Sequence, residues 1–196
     1  ITNAVTFSNT GALTLGDANT DSSTFNNGIT ATAPSGVTLA GTIQTSGDTI
    51  SIGDGDTAIT LAANTIVDGN TAGDITLAGA IDGGYSLTLN TTGTTTLSGE
   101  IGGSTALTTL TTNASGTTVI SADITTSSTQ TYNDAVTFNG TLDFTGSTVQ
   151  FVSTLAGNDG TGDNLTISGA LDLDGAATSL TSLTVEGASN LGANVT

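Results

Sequence analysis

Short alternations of apolar and polar residues recur from one end of this chain to the other. A triplet of the form apolar–polar–apolar stands at residues 5–7, 13–15, 37–39, 50–52, 59–61, 75–77 and 87–89. It returns at 136–138, 142–144, 149–151, 165–167, 171–173 and 183–185. A period of two places the outer residues of each triplet on one side of an extended backbone and the middle residue, usually Thr, on the other. The β-branched content and the flanking Gly, Asn and Asp predict very short strands bounded by turns. No stretch carries a helical period, and Thr, Gly and Asn are poor helix formers.

A longer phrase contains the triplet. It reads Val37-Thr-Leu-Ala-Gly-Thr-Ile43, then Ile75-Thr-Leu-Ala-Gly-Ala-Ile81, Val136-Thr-Phe-Asn-Gly-Thr-Leu142 and Leu165-Thr-Ile-Ser-Gly-Ala-Leu171. A weaker copy, Thr95-Thr-Leu-Ser-Gly-Glu-Ile101, has Thr in the first apolar slot. Most of the intervals lie near one or two multiples of about 20 residues, the signature of a repeat architecture. Short strands, Gly-containing corners and this return predict an all-β fold, a parallel β-solenoid with coils of about 20 residues. The alternative is an antiparallel β-sandwich, which also gives many short strands with turns every 8–12 residues. The spacing is irregular near residues 105–130 and 149–165. Residues 1–196 are read as one solenoid domain of about ten coils, roughly 45–50 Å long at the usual strand spacing. The solenoid places the middle Thr of each triplet outward, in ladders along the rod.

Composition narrows the chemistry sharply. The 196 residues include no Lys, Arg, His, Cys, Met or Trp, and 17 Asp and Glu give a net charge of −17. No side chain can clamp a phosphate, form a Schiff base, act as a neutral-pH imidazole base or ligate zinc through nitrogen or sulfur. An enzyme is not expected. Nucleic acid is excluded as a partner, because a binder needs cations to displace phosphate counterions. No apolar run is long enough to span a membrane, so no membrane insertion is expected. Trypsin has no Lys or Arg to cleave after. The chain begins at Ile1 rather than Met, which reads as a processed product or a segment of a longer or polymeric rod.

Calcium is the one cofactor that suits such a surface, since it takes oxygen ligands from Asp, Asn and carbonyls. The candidate ligands are Asp54 with Asp56, Asp159 with Asp163, and Asp172 with Asp174, all in Gly-rich stretches. The bland reading of each is a solvated turn. These same pairs are among the candidates for two-carboxylate glycoside hydrolysis, and few aromatics exist to build a sugar platform beside them. Asp143 and Asp172 occupy outward slots usually held by Thr, where charge blocks lateral sheet association. Tyr85 and Tyr132 read as surface or corner packing.

Two passages carry a family resemblance. They are Ile101-Gly-Gly-Ser-Thr-Ala-Leu-Thr-Thr-Leu-Thr-Thr-Asn-Ala-Ser-Gly-Thr-Thr-Val119 and Thr129-Gln-Thr-Tyr-Asn-Asp-Ala-Val-Thr-Phe-Asn-Gly140. They resemble the shaft repeats of filamentous-haemagglutinin-like bacterial surface adhesins, most closely over residues 75–145. The resemblance implies a right-handed parallel β-helix at the cell surface, acting as a stalk, fibre or adhesin. The expected partners are copies of itself or adjoining repeats of the same chain, since the triplets run to both ends without an evident polar cap, with surface glycans as the partner of the alternative adhesin reading. The resemblance implies no catalytic residue. A calcium-bridged surface-layer subunit and a glycan-binding adhesin module are the alternative functions.

Overall fold

A computed structural model describes residues 1–196. Every strand pairing in it is parallel, and it contains no helix, so no helix is long and apolar enough to cross a membrane. That arrangement is the β-solenoid the periodicity predicts and rules out the antiparallel sandwich. The coils number about 8, spaced about 22 residues apart, rather than ten of about 20. The stack is correspondingly shorter, roughly 40 Å at about 4.8 Å per coil.

Two sheets wrap the rod. The first has nine strands in sequence order, from Val5–Thr6 and Ile29–Ala31 through to Leu155–Gly157 and Ala177–Thr178. Its inward ladder runs Val5, Ile29, Ile50, Ile75, Thr95, Thr118, Val136, Leu155, Ala177, each in register with the next. The second sheet has 13 strands. Its long members, Gly36–Thr45, Ala58–Asn70, Thr141–Phe151 and Asn164–Leu173, each serve two faces. The first half of Gly36–Thr45 pairs with Leu13–Leu15 and its second half with Ser22–Phe25. Parallel ladders leave each coil unable to bury its apolar side alone, so burial comes from stacking.

The triplets behave as the alternation predicts. Burial in Ile50–Ile52, Ile75–Leu77 and Leu87–Leu89 alternates between buried outer residues and a half-buried middle one. A single cluster of 35 buried residues runs along the axis from Leu15 to Ala177. The end coils have one neighbour instead of two, and Val5, Phe7, Leu13, Leu183 and Val185 there are only partly buried.

The repeated Gly has a steric cause. A Cβ on Gly79 would run into the carbonyl oxygen of Thr57 one coil below, and one on Gly99 would run into that of Gly79. At these two corners Gly is kept because successive backbones touch, whereas Gly140 has open space around it and a φ of 89° that favours Gly.

The irregular stretch near residues 105–130 is regular in space. Leu110–Thr112, Thr117–Ile120 and Thr129–Tyr132 take their places in the two sheets. Their inward positions hold Thr112, Thr118 and Gln130, all buried, which hides the alternation from a hydrophobicity pattern. Tyr132 is a correction to the sequence reading. It is fully buried, stacked on Phe151 with centroids 5.1 Å apart and tilted on Phe144 at 5.9 Å. Its hydroxyl donates to Gln130 Oε1 at 3.0 Å, and Gln130 Nε2 donates to the carbonyls of Ile124 and Thr145. This mutual satisfaction lets two polar groups sit in the core. Tyr85 is exposed, as expected of a surface residue.

Candidate functional site

The six acidic candidates fall into three local arrangements. Asp54 and Asp56 are exposed in a turn, where Asp54 Oδ1 accepts from the Asp56 N–H at 3.1 Å and the Thr57 hydroxyl at 2.8 Å. Those donors, the Thr57 hydroxyl foremost, lower the Asp54 pKa. Asp159 is exposed and accepts from the Thr161 N–H at 2.8 Å. Asp163 is shut off from solvent beneath the same loop. It takes the N–H of Gly140 on one oxygen and those of Asp159 and Gly160 on the other. These backbone donors, Gly140 first, hold its carboxyl below the usual value. Asp163 therefore organises the loop as an internal anion, with both oxygens engaged by N–H groups.

Asp172 and Asp174 differ, because they share a donor. Gln150 Nε2 lies 3.0 Å from Asp172 Oδ2 and 3.4 Å from Asp174 Oδ2, while Asn190 Nδ2 donates to Asp172 Oδ1 at 2.7 Å. Two amides from neighbouring coils hold these carboxylates. No three acidic side chains of the chain converge on one point.

One carboxylate escaped the sequence reading. Asp134 is 3 % exposed, at the corner between Thr129–Tyr132 and Ala135–Phe138. Its oxygens accept from the hydroxyls of Thr112 at 2.6 Å and Thr118 at 2.8 Å, which belong to different sheets of the preceding coil. Burial raises its pKa, against the pull of the two hydroxyls. No cation is available to pair with it. Asp134 thus clasps one coil to the next. The signal that could have found it is the coincidence of Thr at two inward slots one coil before an Asp at a corner.

The surface carries a groove of about 300 Å³. Asn19, Thr42, Asn64, Ile66, Ser86 and Thr88 line it. Thr42, Ile66 and Thr88 are register partners on three successive coils, so the groove runs along the rod axis. A local insertion creates it. Leu39 pairs with Leu61 and Gly41 with Thr65, so Ala62, Ala63 and Asn64 stand opposite Ala40 alone. Such a bulge bends the strand and re-aims its side chains. Thr65 anchors the bulge from below, its hydroxyl within bonding distance of the Leu39 and Ala63 carbonyls. Asn64 Oδ1 accepts from the Ser86 N–H at 3.1 Å, which fixes the side chain and leaves its amino group free to donate. In the sequence, the trace is Ile59-Thr-Leu-Ala-Ala-Asn-Thr-Ile-Val67, the repeated phrase with its Gly missing and two residues added.

Compared with known proteins, the chain matches no family model, no curated protein and no solved structure.

Proposed function

We propose that this chain is a structural segment of an extracellular bacterial surface fibre, stalk or filamentous adhesin, a stiff rod whose right-handed coils stack along its length. The observation that carries the reading is continuity. One core and two parallel sheets run through all the coils with no inserted globular unit. Backbone ladders along the axis resist bending, because bending must stretch the hydrogen bonds on one side. An all-acidic surface keeps such a rod soluble and discourages lateral sheet pairing. The absence of Lys and Arg removes trypsin sites, which suits survival outside a cell.

At one end, Val5–Thr6 and Leu13–Leu15 carry a free strand edge, and at the other Ser182–Val185 and Ser189–Leu191 do. Free edges of this kind accept further coils, of the same chain or of a second copy. The test is immunogold electron microscopy of intact producing cells with an antibody against this segment. Gold along thin filaments outside the envelope is the expected result. Label confined to the cytoplasm would overturn the reading.

A further inference from the structure

The groove has a chemistry distinct from the rest of the rod, and we infer that it is a binding site for a neutral oligosaccharide lying along the rod axis. None of its eight lining residues carries a charge, in a chain with 17 carboxylates. With no cationic side chain in the chain and none of the lining charged, an anionic ligand finds no partner in the groove and meets a net negative field. With no carboxylate in the lining, a cationic ligand finds no partner there. A neutral ligand remains, and the lining specifies its character. Asn19, Asn64, Thr42, Ser86 and Thr88 offer amide and hydroxyl groups that both donate and accept. Ile66, 38 % exposed, puts an aliphatic surface on the floor between Thr42 and Thr88. A pyranose ring matches this mixture, with hydroxyls around its rim and an apolar C–H face.

Preorganisation supports the assignment. Asn64 is held by the Ser86 N–H and the bulge is pinned by buried Thr65, so Asn64 loses little side-chain freedom on binding. The volume is at the lower bound for small-ligand sites, about 300 Å³, and suits a short glycan segment in weak contact. A weak single site gains strength when several copies of the chain engage one polymer. The inference stands on the groove and does not depend on where the rod is displayed.

The test is a titration of the whole chain, with amide chemical shifts recorded by NMR. The probes are maltose, cellobiose, lactose and chitobiose, each at millimolar concentration, with sialyllactose as the anionic comparison. At least one neutral disaccharide should shift the amides of Thr42, Asn64, Ile66, Ser86 and Thr88 saturably, and sialyllactose should not. Thr88→Glu puts a carboxylate into the groove and should weaken binding by at least about tenfold. Thr111→Glu, one coil further along the same outward ladder, should leave binding unchanged and shows that an added charge is compatible with folding. Three results would overturn the site: no saturable shift with any neutral probe, shifts spread over outward ladders elsewhere, or equal binding by Thr88→Glu.

Discussion

A Cβ is enough to separate two glycines that look alike in sequence. Gly79 lies where the Thr57 carbonyl approaches, while Gly55, in a nearby exposed turn, has open space around it. Gly79→Ala should destabilise the rod by about 2 kcal/mol or more, by forcing the coils apart, and Gly55→Ala should be nearly neutral. Urea denaturation of the two variants checks this; equal midpoints would refute the close-approach explanation. Asp134 and Asp163 form a second contrasting pair. Burial raises the Asp134 pKa above its ordinary value of 3.8, so its contribution to stability is full below that value and is lost as pH rises through the folded one. The Asp163 pKa is lowered, so its contribution is present above 3.8 and is lost as pH falls through the folded value. Asp134→Asn should therefore raise the melting temperature relative to wild type at neutral pH. Asp163→Asn should lower it at neutral pH, with the difference shrinking in acid. Melting curves across the acid-to-neutral range decide both, and parallel curves for wild type and either variant would contradict the assignment.

At the level of the strand, the alternation was legible wherever inward slots held Ile, Leu, Val or Phe. All of the apolar triplets lie in or at strands, from Val5–Thr6 to Ser182–Val185. It failed where inward slots hold polar residues that are satisfied inside the rod. Thr112 and Thr118 belong to none of the apolar triplets, and their inward place shows only when Asp134 is seen to accept from both hydroxyls. Tyr132 read as surface or corner packing because its partner Gln130 and the two rings it packs on lie on other coils or two residues away. Pairing across coils is a matter of register, which one sequence fixes poorly where the coil length varies. The groove was missed for the same reason, since the two added residues before Thr65 gain meaning only opposite Ala40. The aromatic stack is a local strong point. Phe151→Ala should cost about 3–5 kcal/mol, and Phe7→Ala, in a half-buried end coil, distinctly less. Equilibrium unfolding that ranks Phe7→Ala as the more damaging change would show that the core is not centred on Tyr132, Phe144 and Phe151.

Across the whole molecule, charge and stacking oppose each other. Seventeen carboxylates repel between neighbouring rods, and salt screens that repulsion within about 10 Å at 0.1 M. Light scattering from the purified chain should rise as salt or calcium is added; a flat response to both would argue that the ends do not join. Calcium carries a further distinction. If carboxylates such as Asp172 and Asp174 bridge subunits through the ion, removing it dissolves the assembly, whereas a shaft held by backbone ladders is indifferent to its removal. The most direct measurement is therefore electron microscopy of native material with and without a calcium chelator. The account predicts thin fibres with an axial repeat near 4.8 Å under both conditions. Isolated compact particles, or fibres that vanish in chelator, would contradict it.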